Sequence, residues 1–354
     1  MLETIRLQAG DPADVERAAE LLRAGRLVAF ATETVYGLGA NALLAEAVTR
    51  IFAAKDRPGW DPLIVHIASA DEIDRITMIS GELRARVERL AAAFWPGPLT
   101  MLLPKSAAVP DAVTAGRPLV GVRIPAHPAA QALLRAAGLP IAAPSANRFG
   151  HTSPTTAEHV LVDLGGRIDA VLDAGPTQVG IESTVVDVTR TPMVQYRPGA
   201  VTSQQIEAVC GVPVEIYVPV QEQRSPESLP SPGVGIRHYA PRARVVLGEG
   251  TAEAVESKVT EFAEGGGGGK IGVLLPLGWN APGKAIVQPW AAWNHPSELA
   301  ASLFAGLRAL DACGVDAIVC PLPAPGGVSD AIRDRLLKAA REKWRLLHDR
   351  CARV

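Results

Sequence analysis

Short apolar runs of strand length alternate with amphipathic helical stretches along nearly the whole chain, and this alternation constrains the fold more than any single residue does. A chain that switches repeatedly between the strand period and the helical period of about 3.6 residues must build a central sheet covered by helices, the α/β class. Near the start, Asp11 can cap a helix with Pro12 at its first position and Asp14 in its first turn. Val15, Ala18, Leu21 and Leu22 then give an apolar stripe that ends near Gly25. Buried strands are expected over 26–31, 99–103, 119–124, 141–143, 171–173 and 183–188. Helices are expected over 43–54, 81–94, 128–137 and 155–164, the last opened by a Thr155/Glu158 capping box.

From 211 to 242 the periodicity dissolves into a stretch rich in Pro, Ser and Gly, which reads as an interdomain linker. Structureless segments beyond about 15 residues are uncommon in compact proteins and are often functional. A second alternation follows, with strands over 244–247, 271–276 and 316–320 and helices over 252–263, 297–312 and 328–346. That pattern fits a small parallel sheet of Rossmann-like type. The chain of 354 residues, at roughly 150 per domain, therefore divides into a first domain over 1–210, the linker over 211–242 and a second domain over 243–354.

With 35 basic against 37 acidic residues the net charge is −2, so no global field draws the chain to nucleic acid, and tight nucleic-acid binding is not expected. The four cysteines, Cys210, Cys313, Cys320 and Cys351, form no CxxC pair, which argues against a zinc ribbon or a disulfide framework and fits a reducing cytoplasm. The sequence has no uninterrupted apolar run of about 18 residues and no secretion-type N-terminus, so neither a membrane nor export is expected. The run of glycines over 265–269 before Lys270 is not a phosphate loop, because Glu264 stands where the leading Gly belongs and Ile271 where Ser or Thr does.

The informative polar residues sit beside apolar strands. Thr32, Glu33 and Thr34 leave one strand and run into Tyr36-Gly37-Leu38-Gly39, which reads either as a ligand pocket with close backbone approach or as an ordinary glycine turn. Lys55 and Arg57 flank Asp56 near a helix end, before Asp61 and an apolar strand ending at His66; they suit an anionic ligand or a solvated surface. Lone histidines on apolar strands are usually core residues, and the histidines show no metal-ligand spacing, so no protein-held metal is expected. Arg123 within a strand demands a carboxylate or phosphate partner, internal or bound. Ala143, Ser145, Ser153, Ser183 and Arg197 continue the theme of small, hydroxyl and cationic side chains at strand ends. Without a Ser/His/Asp order or nucleophile elbow, such residues suit positioning and charge neutralisation rather than covalent catalysis.

TETVYGLG, KDRPGWDPLIVH, FWPGPLT, VRIP, PSAN, GIESTVVD, YRPG and SPGVGIRHYAPR occur in that order, and together they closely resemble the longer, two-domain form of the YrdC-like L-threonylcarbamoyladenylate synthases. The resemblance covers nearly the whole chain. It implies a first domain built on a twisted mixed α/β sheet with a large concave basic pocket, and a smaller Rossmann-like second domain. It implies synthesis of threonylcarbamoyl-AMP from L-threonine, bicarbonate and ATP with release of pyrophosphate, ATP bringing Mg²⁺. The product would serve threonylcarbamoyladenosine formation beside the anticodon of tRNA, through hand-over to the tRNA threonylcarbamoyl-transfer proteins. Carried over by position, Thr34, His66, Arg123, Ala143 and Ser183 match threonine-contacting residues. Arg57, Asp61, Ser145, Ser153, Arg197 and Tyr239 match those around ATP, with Lys55 and Arg57 as the catalytic cations. Asp61 departs from the Asn usual in the family, and Tyr239 places the linker over the active site. Carbamoyl-transfer proteins of the hydrogenase-maturation type contain a similar domain but also cysteine-rich zinc modules, which this chain lacks.

Overall fold

The computed structural model describes residues 3–218, 229, 231, 239–264, 269–280, 282–283 and 285–340. Most of the stretch read as a linker, residues 265–268 of the glycine run, the last helix beyond 340 and Cys351 lie outside the described residues. The first domain holds β1 (Ile5–Gln8), β2 (Val28–Ala31), β3 (Tyr36–Asn41), β4 (Ile64–His66), β5 (Leu99–Pro104) and β6 (Leu119–Arg123). It continues with β7 (Ile141–Ala142), β8 (Ala170–Asp173), β9 (Thr184–Asp187), β10 (Met193–Arg197) and β11 (Val214–Ile216). These form one mixed sheet in the order 1-8-2-3-7-4-6-5-9-10-11. Its helices are α1 (Pro12–Arg23), α2 (Ala45–Lys55), α3 (Gly81–Phe94), α4 (Asp111–Thr114), α5 (Pro128–Ala137), α6 (Ala157–Leu164) and α7 (Ser203–Cys210).

Helix α1 starts where the sequence places it, with Asp11 accepting from the backbone N–H of Ala13 at 2.9 Å. With α5 it covers one face of the sheet, Leu22, Leu133 and Leu134 packing with Phe30, Ile141 and Leu172. Ile51 of α2, Leu90 of α3 and Val160 of α6 belong to the core that includes Leu38, Val65 and Met101.

Some expectations are corrected. Tyr36-Gly37-Leu38-Gly39 is not a turn but β3, antiparallel to both β2 and β7. Its glycines answer to packing, since a Cβ on Gly39 would lie 2.9 Å from Ile141 and from Phe30. Helix α6 starts at Ala157 and is capped by Thr156, whose hydroxyl accepts from His159 N–H at 3.3 Å. The Thr155 hydroxyl instead faces the His159 ring, which draws it out of the capping position. The edge strands β1 and β11 went unread because they are short and largely exposed, and β11 extends the sheet into the stretch assigned to the linker.

The second domain holds β12 (Arg244–Gly248), β13 (Ile271–Leu275), β14 (Ile286–Pro289) and β15 (Ala317–Pro321), with α8 (Ala252–Glu264), α9 (Pro296–Ala312) and α10 (Ser329–Ala340). All its strand pairs are parallel, in the order 12-15-13-14, as the Rossmann-like pattern requires. Its core does not close on itself. Leu303, Phe304 and Leu307 of α9 share a cluster with Val35 and Ile181 of the first domain and with Tyr239. Burial of side chains like Val35 and Ile181 stabilises such docking by about 1.5–3 kcal/mol each. No helix among the described residues is long and apolar enough to cross a membrane.

Candidate active site

Strand ends create the site. β4 and β6 are parallel neighbours in which His66 and Arg123 are register partners, so both reach the same rim of the sheet. Between β2 and β3 the Thr32 hydroxyl donates to Val35 O at 2.7 Å and pairs with the Thr34 hydroxyl at 2.8 Å, which fixes Thr34 toward the same rim. Beyond β7, Ala143 and Ser145 supply a low wall. Across from them stand Ser183, just before β9, and Arg197, which ends β10. Thr34, His66, Arg123, Ala143 and Ser183 all line one cavity. Arg57, Ser145, Arg197 and Tyr239 line it too.

Three buried guanidinium groups therefore face a single space. Arg123 is ion-paired with Glu33 at 2.6 Å, donates to Thr34 Oγ1 at 2.9 Å and to Gly97 O at 3.1 Å. A guanidinium has five N–H donors, so this pairing leaves some for a ligand. Burial pushes the Glu33 carboxyl up, but the charge and hydrogen bonding of Arg123 outweigh it and hold the group below the usual range. The internal partner that Arg123 demands is thus Glu33, which the sequence reading quoted but did not assign.

Arg57 is tied to Asp61 by a 2.9 Å ion pair and donates to Asp61 O at 3.2 Å and Pro62 O at 2.9 Å. Asp61 is completely buried and is absent from the cavity wall; its carboxylate faces Arg57. Burial raises the Asp61 carboxyl despite the opposing charges of Arg57 and Lys55, and burial likewise lowers Arg57.

Lys55 is also absent from the wall. Its ammonium lies behind it, donating to Ser145 O at 2.5 Å and to Asn147 O. Burial, then the charge of Arg57, lowers Lys55 well below an ordinary lysine. In this arrangement Lys55 holds the backbone of the Ser145 wall. Ser153 is a wall away as well, its hydroxyl donating to Glu182 Oε1 at 2.5 Å.

His66 packs edge-on against Phe30 with ring centroids 6.2 Å apart, and its Nδ1 has no hydrogen-bond partner among the described residues. Burial, reinforced by the Arg123 charge, pushes its pKa down to about 3, so the imidazole enters any chemistry near neutral pH uncharged.

Arg197 donates from Nε to Ser183 O at 2.9 Å and from Nη2 to Ser183 Oγ at 3.1 Å, and it hydrogen-bonds the Tyr239 side chain. Ser183 also meets Thr100 Oγ1 at 2.8 Å. Tyr239 stacks on Phe304 of α9 at 5.6 Å and holds a left-handed backbone, φ 66°. Glu182 completes this wall and was missed, although it stands inside the quoted GIESTVVD segment. Its neighbouring hydroxyls drew the reading, while its partner, Arg335, is far away in sequence. Among the described residues no group of three or more His, Cys, Asp or Glu side chains is placed to hold a metal ion.

Comparison with known proteins gives this geometry relatives. The Sua5/YciO/YrdC family model, described as "Telomere recombination", matches residues 20–199, and one described as "Threonylcarbamoyl-AMP synthase, C-terminal domain" matches 201–341. The threonylcarbamoyl-AMP synthase of Pyrococcus abyssi is 43% identical across 91% of this chain and 93% of its own length. That of Bacillus subtilis is 43% identical across 95% of each. The crystal structure of P. abyssi Sua5 complexed with L-threonine superposes with a TM-score of 0.85 at 40% identity, covering 96% of this chain and 97% of that one.

Proposed function

The chain belongs to the threonylcarbamoyl-AMP synthase family, and from that premise we propose that it joins L-threonine, bicarbonate and ATP into threonylcarbamoyl-AMP with release of pyrophosphate. One observation carries the reading: the guanidinium groups of Arg57, Arg123 and Arg197, all buried, face one cavity, where among the described residues Arg57 and Arg123 are ion-paired to a carboxylate and Arg197 meets the oxygens of Ser183. Such an excess of buried positive charge is costly without an anionic ligand. L-Threonine, which P. abyssi Sua5 binds, offers a carboxylate for the free donors of Arg123. Neutral His66 and the hydroxyls of Thr34 and Ser183 suit its hydroxyl and amine.

The chemistry follows from the charges. The threonine amine and bicarbonate give a carbamate and water. A carbamate oxygen then attacks the α-phosphorus of ATP, and pyrophosphate leaves. Both reactants are anions, so repulsion and alignment dominate the barrier, and Arg57 and Arg197, which line the same cavity, offset the repulsion. Mg²⁺ enters as the ATP complex, which needs few protein ligands. Lys55, Asp61 and Ser153 act behind the wall by holding Ser145, Arg57 and Glu182. The mixed anhydride is labile, so a transfer reaction to the adenosine beside a tRNA anticodon is the fitting consumer, reached by hand-over to the transfer proteins in the cytoplasm.

The test is pyrophosphate release from purified protein with Mg²⁺ and ATP, adding L-threonine and bicarbonate singly and together, with mass spectrometry of the nucleotide. Release that requires both, with a threonylcarbamoyl adenylate detected, is the expected result. Release that ignores either one, or none from folded protein, overturns the reading.

A further inference from the structure

We propose that Arg335, on helix α10 of the second domain, is a positioning residue for the nucleotide side of the cavity, so that domain docking itself sets the geometry of Ser183, Arg197 and Tyr239. The inference rests on the function proposed above. Arg335 is 1% exposed, although it belongs to a domain that contributes no side chain of its own sheet to the cavity wall. Its fork brackets the catalytic strand ends. Nε donates to Glu182 Oε2 at 2.8 Å and Nη2 to Glu182 O at 3.3 Å, immediately before Ser183. Nη1 donates to Pro198 O at 2.9 Å, immediately after Arg197, and to Asp334 at 2.8 Å. The guanidinium carbon lies over the Tyr239 ring, 5.2 Å from its centroid.

These contacts exceed what docking alone needs. A second cross-domain arginine serves for comparison: Arg308 of α9 pairs with Asp163 at 2.7 Å and donates to Thr152 O and, at 3.4 Å, to Ser153 O, one layer behind the wall, with no bond to Glu182 or Pro198. Arg335 instead fixes the residues on both flanks of the Ser183–Arg197 pair and one face of a tyrosine with a strained, left-handed backbone. Lysine could keep the charge opposite Glu182, but as a point charge it cannot span Glu182, Pro198 and the ring together.

The experiment compares full-length parent, Arg335→Lys, the double variant Glu182→Gln/Arg335→Met and the docking control Asp163→Asn. The double variant removes both buried charges and keeps the test open if Arg335→Lys folds poorly. Pyrophosphate release is followed against Mg·ATP, with L-threonine binding measured separately by calorimetry. Arg335→Lys and the double variant should raise KM for Mg·ATP about tenfold or more, the scale of a displacement approaching 1 Å. L-Threonine affinity, anchored on Thr34, His66 and Arg123 and touched by the bracket only through Ser183, should fall by a smaller factor than KM for Mg·ATP rises. Asp163→Asn should lower melting temperature while raising KM for Mg·ATP by a smaller factor than either Arg335 variant. Parent-like KM for Mg·ATP in both Arg335 variants overturns the proposal. If the parent itself releases no pyrophosphate, the functional reading fails, and hydrogen exchange decides positioning independently. Faster amide exchange at Ser183, Thr184, Arg197 and Gly199 in Arg335→Lys than in Asp163→Asn supports it, and equal exchange overturns it.

Discussion

Arg123 and Arg197 are both buried guanidinium groups on the last residue of a strand, facing one cavity, yet they are held in opposite ways. Arg123 has a carboxylate, Glu33, at 2.6 Å, from the same sheet and the turn after β2. Arg197 is held by the neutral oxygens of Ser183 and by Tyr239, and the backbone after Arg197 and before Ser183 is braced by Arg335 from another domain. One wall is thus complete within the first domain and locked by charge. The other stays electrostatically open, which suits a polyanionic ligand, and depends on docking for its shape.

The sharpest way to break this comparison is to substitute each arginine by methionine. Both variants should lose pyrophosphate release by about 100-fold or more, the scale of removing one preorganised donor. Their stabilities should separate. Arg123→Met leaves Glu33 buried without its cation and should cost about 3–5 kcal/mol. Arg197→Met strands only neutral acceptors, at about 1–3 kcal/mol. In the parent, Glu33 has a lowered pKa, so its contribution is present above the unfolded value of about 4.3 and is lost as pH falls through the folded value. The stability gap between parent and Arg123→Met should therefore narrow as pH falls below about 4.3, as read from denaturant melts carried from neutral pH down to about pH 2.5. A gap independent of pH would show that Glu33 is not the lock.

The same division explains what the sequence could reveal. The strand-end residues Thr34, His66 and Arg123 announce themselves as polar groups beside apolar runs, and the strands of His66 and Arg123 pair into adjacent positions by register alone. Arg335 and Phe304 carry no such signal. Each sits in an ordinary amphipathic helix, and tertiary packing alone brings them to Tyr239. The segment of β3 left a turn and a pocket equally open for a related reason: its glycines mark tight packing against Ile141 and Phe30, a tertiary fact that local turn chemistry imitates, and it is the pocket reading that stands, with Gly37 on the cavity wall. Lys55 and Asp61 were legible as charges but not as buried supports, because burial is not a property of a motif.

A middle-sized effect tests the docked wall from the first domain's side. Gly180 has φ 72°, and a Cβ there would fall inside van der Waals distance of the Ala301 backbone in α9. Gly180→Ala should cost about 1–3 kcal/mol through strain and separation of the helix. Because Ile181 and Glu182 follow directly, activity should fall about tenfold. Calorimetry should show the loss in a lower-temperature step belonging to the second domain, with melting of the first sheet unchanged. A uniform shift of a single transition would mean that the two walls are not held separately.

The smallest effect is expected at Asp61, where the first domain holds a charge by a pair that burial disfavours on both sides. Asp61→Asn keeps an oxygen acceptor for Arg57, whose other anchors are the backbone oxygens of Asp61 and Pro62, and removes one of two desolvated charges. Stability should change by about 1 kcal/mol or less at neutral pH, and pyrophosphate release by less than about threefold. The pH dependence carries the distinction. A carboxyl whose folded pKa lies above its unfolded value of about 3.9 binds its proton more tightly in the folded state, so stability falls as pH rises between those two values. Asp61→Asn should remove that slope, whereas Glu33→Gln should remove one of opposite sign. Melting curves from about pH 2.5 upward therefore separate the two buried carboxylates, one that costs stability when it ionises and one that supplies it.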